Sequence, residues 1–188
     1  PVEDETQVAE VTANLPSGEW PVNTPITLAT ATQEATILVS VNGDEFKTYT
    51  EAITLTGQTT VTAYAQAEGL NDSEKVTFTY DVVTVKPISE VRLYEKGKNA
   101  IVEGILTHKA GREMYIQDAT GGIVLYDFES SVANVGDKVR AGGVMEIYNE
   151  LQELKPLLPF TYEVVEANVG VPAAKVISPD QLSPENGE

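Results

Sequence analysis

The sequence predicts an all-β chain in two domains, and three observations carry that reading. From residue 8 to residue 83, short runs of β-branched and aromatic residues recur between turn signals, and no helical period competes with them. The run 111–128 reads as two strands joined at a tight corner, Asp118-Ala119-Thr120-Gly121-Gly122, its glycines standing where a turn needs positive φ or close backbone approach. Charge is also uneven: residues 1–85 hold 13 acidic residues against two lysines (net −11), and residues 86–175 hold 13 against 10 basic (net −3). The break falls at Val85-Lys86-Pro87, where a proline follows a strand. The expected organisation is therefore a domain over 1–85, a second over 86–175, and a tail or linker over 176–188 toward a following domain.

In the first domain, residues 1–7 form an acidic lead-in without periodicity. Strands are predicted over 8–15, 26–30, 36–41, 46–49, 53–56, 60–67 and 75–83, separated by Pro16-Ser17-Gly18, Asn42-Gly43, Thr56-Gly57-Gln58 and Gly69-Leu70-Asn71-Asp72. Seven such strands in about 80 residues is the count of an immunoglobulin-like β-sandwich. Asn42-Gly43 between alternating runs specifies a type I′ hairpin turn, which needs positive φ at both central positions.

The second domain adds a strand over 100–107, with Gly104 where a strongly coiled strand bends, the arms of the 111–128 hairpin, and a fourth strand opening at 135–140. Leu151-Gln152-Glu153-Leu154 begins a last strand that runs on through 160–169. In the hairpin, Met114 and Ile116 share one parity and face the interior; Glu113, Tyr115 and Gln117 share the other. Both parities of 123–128 are apolar, so pattern alone leaves its inner face open. Glu150 occupies the position where a tight Asn-Gly turn would finish, which predicts a longer or differently twisted loop there.

This strand order resembles the OB-fold, so the fold class is all-β, an immunoglobulin-like sandwich followed by a five-stranded OB-fold barrel. The segments Ile88-Ser89-Glu90-Val91-Arg92, Val102-Glu103-Gly104-Ile105, 115–123, Val135-Gly136-Asp137-Lys138-Val139 and 151–154 are similar to the OB-type module of secreted bacterial endonucleases and 5′-nucleotidases. In the first domain, Leu15-Pro16-Ser17-Gly18-Glu19-Trp20, Thr36-Ile37-Leu38, Asn42-Gly43-Asp44 and Val61-Thr62-Ala63-Tyr64-Ala65 resemble the chitobiase C-terminal-type sandwich, with Trp20 in place of the usual tyrosine. That resemblance implies an accessory spacer in a large extracellular polymer-degrading enzyme. Trp20 is then either a sugar-stacking platform or a cap on the sandwich core.

Composition narrows the chemistry. Zero cysteines exclude disulfides and thiolate catalysis, and fit a secreted bacterial surface protein while leaving a cytosolic one open. The single histidine, His108, placed at the tip between two strands, has no Gly-x-Ser-x-Gly elbow to serve and no second histidine to share a zinc ion with. Gly121-Gly122 and Gly142-Gly143 lack the lysine and helix of a phosphate loop. No stretch is apolar enough for a membrane span, and no leader peptide is visible. The chain is thus expected to be non-catalytic and without cofactor. Calcium is the one metal whose oxygen ligands occur in an acidic loop, Asn71-Asp72-Ser73-Glu74.

The expected ligand surface follows the second and third barrel strands. It comprises Arg112, Tyr115, Gln117 and Tyr126 at the centre, with Lys109 and Lys138 at the rim, where tyrosine rings would stack on bases or sugars. The alternative for the tyrosines is packing on a neighbouring loop or domain. The net charge of −17 and the interleaving of Arg92, Lys96, Lys98, Lys109, Arg112, Lys138 and Arg140 with Glu90, Glu95, Glu103, Glu113 and Asp137 argue against a strong polyanion groove. The reading is an accessory region of an extracellular or cell-surface multidomain protein that weakly binds single-stranded nucleic acid for a nuclease or phosphoesterase domain in the same full-length chain. The alternative is an oligosaccharide- or cell-wall-binding or spacer unit of a glycosidase or surface-layer protein.

Overall fold

The computed structural model describes residues 6–173, so the tail expected over 176–188 lies outside the described residues. The chain divides into two compact units, Pro1–Val82 and Val83–Glu188.

The first unit contains β1 (Thr12–Ala13), β2 (Gly18–Pro21), β3 (Pro25–Ile26), β4 (Leu28–Ala29), β5 (Thr36–Val41), β6 (Lys47–Thr48), β7 (Ile53–Thr54), β8 (Thr59–Gln66) and β9 (Val76–Val83). Five of them form one sheet in the order β2-β9-β8-β5-β6, and β1-β4 and β3-β7 are two-stranded ribbons. Strict alternation along β8 buries Thr59, Val61, Ala63 and Ala65 on one face, and Ile26, Leu55 and Tyr80 complete the core. Asn42 (φ 54°) and Gly43 (φ 85°) take the type I′ conformation, with the Asp44 N–H donating to the Val41 carbonyl at 3.1 Å.

Two expectations are corrected here. Of the strand expected over 8–15, only Thr12–Ala13 is extended ladder. Thr side chains compete for the backbone before it: the Ala9 N–H donates to Thr32 Oγ1, and Thr30 Oγ1 donates to the Ala9 carbonyl. Conversely, Gly18, read as part of a turn, opens the edge strand β2, where Pro21 is tolerated because the strand is paired on one side only.

The second unit contains a short helix α1 (Ile88–Val91), then β10 (Asn99–Ala110), β11 (Glu113–Gln117), β12 (Gly122–Tyr126), β13 (Lys138–Tyr148), β14 (Leu151–Pro156) and β15 (Tyr162–Glu166). Strands pair in the order β10-β11-β12-β14-β13, and β13 returns to β10, closing a five-stranded barrel with β15 laid on β13. β12 and β14 run parallel, and the other ladders are antiparallel. This is the closure expected of an OB-fold barrel.

Closure leaves little room for a side chain at three glycines. A Cβ on Gly143 would lie 2.0 Å from the Lys155 carbonyl oxygen, and one on Gly142 would lie 2.7 Å from Phe160 Cδ1. A Cβ on Gly104 would stand 3.0 Å from the Gln117 backbone, at the crossing of β10 and β11. The interior holds Val102, Leu106, Met114, Ile116, Ile123, Leu125, Met145 and Leu154. Met114 and Ile116 therefore point inward as predicted, and the inner face of β12 is that of Ile123 and Leu125.

Several expectations change in this unit. The last strand is not continuous: β14 ends at Pro156, and β15 begins only at Tyr162. The turn after β13 is not longer. Asn149 (φ 48°) and Glu150 (φ 70°) complete a two-residue turn between the register partners Tyr148 and Leu151, so a glutamate adopts the left-handed conformation usually left to glycine. The corner between β11 and β12 does not use positive φ at its glycines either. It is tied by Asp118, whose Oδ1 accepts from the Thr120 and Gly121 N–H groups and the Thr120 hydroxyl, while Oδ2 accepts from the Ile88 N–H at 2.9 Å. Burial works to raise this carboxyl, but those donors outweigh it and hold Asp118 below the usual carboxylate range.

Candidate ligand face

Alternation places one side chain in two of β10, β11, β12, β14 and β13 on the outside of the barrel, and the register aligns them in rows. One row runs His108, Tyr115, Val124, Glu153, Glu146. His108 is thus a ladder residue opposite Tyr115, ring centroids 5.9 Å apart, and not the tip of the connection, which is formed by Gly111 and Arg112. In the next row, Glu113 pairs with Tyr126.

The expected centre separates into two groups. Arg112, Tyr115 and Tyr126 come together at one end. Arg112 is held against Asp127 by a bidentate pair, Nε to Oδ1 at 2.6 Å and Nη2 to Oδ2, and its guanidinium lies 4.8 Å from the Tyr126 ring centroid. Lys155 Nζ approaches the same ring to 5.0 Å, so the π-cloud of Tyr126 already faces two cations. The Tyr115 hydroxyl donates to Glu113 Oε2 at 2.5 Å, and that bond holds the phenol above its ordinary range.

Gln117 and Lys138 lie at the other end. Lys138, Ile105 and Gln117 form one row across β13, β10 and β11. Lys138 Nζ reaches Glu103 Oε2 at 2.8 Å, and Arg140 binds Glu103 Oε1 through Nε at 2.9 Å and Nη2 at 2.7 Å. The Lys138 bond first, and the Arg140 bonds after it, outweigh burial and hold Glu103 ionised below the usual range. Lys109 is not at a rim with them. Its ammonium donates to the Ser130 and Ala133 carbonyls and fixes the loop before β13.

The residues that sequence reasoning passed over are Glu103 and Glu153. Each is a carboxylate at an outward position of a mostly apolar strand, a signal that alternation makes readable. Glu153 is only 4 % exposed, and its Oε2 has no hydrogen-bond partner among the described residues. Burial pushes its carboxyl up, Lys155 opposes, and Glu113 and Glu146 add to the rise.

Several barrel cations are paired with carboxylates, as Lys86–Glu90, Lys96–Glu146, Arg112–Asp127, Lys138–Glu103 and Arg140–Glu103/Glu163. Lys98 and Lys155, by contrast, lie over tyrosine rings, and Lys109 donates to backbone carbonyls. In the first unit Trp20 is 7 % exposed and donates from Nε1 to the Pro16 carbonyl at 3.0 Å, which places it in the core rather than on a platform. In the acidic loop, Ser73 Oγ accepts from the Ala65 N–H, and Asp72 Oδ2 accepts from Gln66. Among the described residues no group of three or more histidine, aspartate or glutamate side chains is placed to hold a metal ion, and no helix is long and apolar enough to cross a membrane.

Residues 15–77 match the family model of the chitobiase/beta-hexosaminidase C-terminal domain. That match lies within the first unit. It marks that unit as an immunoglobulin-like sandwich. No curated protein matches the chain. Among solved structures, a murine DNA-binding protein bound to double-stranded DNA is similar at 14 % identity and TM-score 0.42, covering 85 % of this chain and 97 % of that one. The Ifi202 HINa domain in complex with 20 bp double-stranded DNA is similar at 10 % identity and TM-score 0.38, covering 84 % and 99 %.

Proposed function

We propose that this chain is a non-catalytic accessory region of a larger extracellular carbohydrate-active protein, and that the outer face of the barrel contacts an uncharged glycan. The observation that carries the reading is the match of residues 15–77 to an accessory domain of a hexosaminidase. Charge supports it from the barrel side. A nucleic-acid groove draws its affinity from unneutralised cations, whereas here Arg112, Lys138 and Arg140 are each paired with a carboxylate. Tyrosine, carboxylate, guanidinium and carboxamide side chains together suit hydroxyl groups, which both donate and accept.

Single-stranded nucleic acid is the second reading, favoured by the barrel topology and by Arg112 beside Tyr126. It belongs with a nuclease or phosphoesterase domain elsewhere in the protein, and its dissociation constant is expected at about 10⁻⁴ M or weaker.

Sedimentation of the chain with insoluble chitin, cellulose and peptidoglycan, alongside titration with oligo-dT, decides between them. Retention on a polysaccharide that persists in 0.5–1 M salt (roughly the range where the screening length falls to about 3 Å) supports the glycan reading. Binding to oligo-dT alone, lost with salt, transfers the assignment to nucleic acid.

A further inference from the structure

We infer that the glycan-binding subsite is the cleft beside Gln117, Glu103 and Lys138, and that it takes one uncharged sugar ring; this rests on the carbohydrate reading above. The cleft has a volume of about 390 Å³ and is lined by Glu103, Gly104, Ile105, Gln117, Asp118, Ala119, Lys138 and Pro172. That volume lies near the lower end of the range for small-molecule sites. All its walls belong to the second unit: β10 and β13 on one side, the end of β11 and its corner on the other, and Pro172 from the segment after β15.

Its ligand chemistry follows from which polar groups are engaged. Asp118 is saturated by its own corner and by the Ile88 N–H. Gln117 is exposed, and its carboxamide makes no hydrogen bond among the described residues, so one acceptor and two donor hydrogens face the cleft unused. Glu103 and Lys138 are bonded to each other, yet an ionised carboxylate has about four lone-pair sites and an ammonium three donors, so each keeps capacity at the cleft edge. A hydroxyl bridging that pair donates to Glu103 and accepts from Lys138 without separating them.

Charged ligands are disfavoured from both sides. An anion meets the Glu103 carboxylate, and a cation meets Lys138 with Arg140 behind it. Beside the cleft both cations, Lys138 and Arg140, are already paired with carboxylates, so a long polyanion gains little there. Ile105, Ala119 and Pro172 give the C–H face of a ring an apolar wall. Tyr115 stands two residues before Gln117 on β11, about 7 Å away, close enough for a neighbouring sugar of an oligosaccharide to reach it.

The test uses the full chain, ¹⁵N-labelled and titrated to high millimolar concentration with N,N′-diacetylchitobiose, cellobiose and maltose. Saturable shifts of the Gln117 side-chain amide and of the Gly104, Ile105 and Ala119 backbone amides with at least one of these sugars are expected. Gln117→Ala, a change at an exposed position, should weaken that binding tenfold or more, and Lys138→Met should do likewise. If polysaccharide retention survives in Gln117→Ala at full strength, or if the shifts centre on Tyr115 and Tyr126 and spare Gly104, the cleft assignment is overturned and the accessory reading stands. If neither soluble sugar nor insoluble polysaccharide binds, both fall.

Discussion

In the first unit β1, β3, β4, β6 and β7 are two residues each, whereas β10 and β13 of the barrel run for 12 and 11 residues. The short strands are supplemented by side chains bonded to backbone, among them Thr30 to Ala9, Asn14 to Pro25, Ser73 to Ala65 and Tyr80 to Leu15. The long strands rely mainly on their ladders, with the Thr107 hydroxyl donating to the Tyr115 carbonyl where the β10–β11 register shifts, and many of their outward side chains are left for ion pairs and for the cleft. A sheet closed on itself also has fewer open edges to protect. The cost of closure falls on a few close approaches, of backbone to Gly104 and Gly143 and of the Phe160 side chain to Gly142. In the sandwich a Cβ added at Gly43, Gly57 or Gly69 would meet nothing within 4 Å, so the cost at Gly43 (φ 85°) and Gly69 (φ 79°) is one of backbone conformation and not of collision.

That contrast can be broken by substitution. Gly143→Ala drives a Cβ into the Lys155 carbonyl and should destabilise the barrel by about 3 kcal/mol or more, overpacking against backbone that cannot move aside. Thermal unfolding followed by NMR should show barrel amides melting early while the Val61 and Tyr80 amides keep their wild-type midpoint; a uniform shift of both units would refute independent cores. The converse variant is Leu55→Ala, which empties a fully buried position in the first unit. It should cost about 2–5 kcal/mol there and leave the barrel signals in place.

The two overlooked glutamates should give opposite pH slopes. Glu153 titrates higher in the folded barrel than in the unfolded chain, so its contribution is greatest below the unfolded carboxylate range and is lost as pH rises through the folded value. Glu103 titrates lower when folded, so its contribution is present above the unfolded value and is lost as pH falls through the folded one. Denaturant midpoints from pH 3 to pH 8 should therefore rise at neutral pH for Glu153→Gln and fall there for Glu103→Gln. A Glu153→Gln profile parallel to wild type would show that this carboxyl is not raised.

Smaller effects sharpen the same picture. Glu150→Gly relieves a left-handed non-glycine residue and should stabilise the barrel by up to about 1 kcal/mol, measured as a higher urea midpoint with unchanged slope. Arg112→Ala removes an exposed, solvent-screened pair and should leave the urea midpoint close to that of the wild type.

The strands with clean alternation were legible in the sequence: β5, β8, β9, β10 and the hairpin of β11 and β12 all sit on runs that pattern alone picks out. β2 was not, because Pro16-Ser17-Gly18 is turn chemistry and its continuation through Glu19, Trp20 and Pro21 owes its extension to β9 alongside it. The break between β14 and β15 was equally hidden, since Leu157 to Thr161 keeps an apolar composition while leaving the ladder. Of the face residues, the outward parity of Tyr115 and Gln117 was readable from period two. What stood opposite them was not: register places His108, Val124 and Glu153 in the Tyr115 row, and Ile105 and Lys138 in the Gln117 row. Pairing across a closed barrel is a long-range property that no local window contains.

The Asp118 corner has a mechanical consequence. Pulling on the segment before Pro87 loads the barrel at the Ile88 N–H, which is anchored to Asp118, and at the Ser89 N–H, which is anchored to Thr120 Oγ1. The Lys86 N–H, bonded to the Ile101 carbonyl, shares that load with β10. Tension is thereby passed into two strands at once instead of peeling α1 away from the wall. One carboxylate acts as a rivet between the incoming chain and the hairpin, and Asp118→Ala should lower the force at which a tethered molecule first yields.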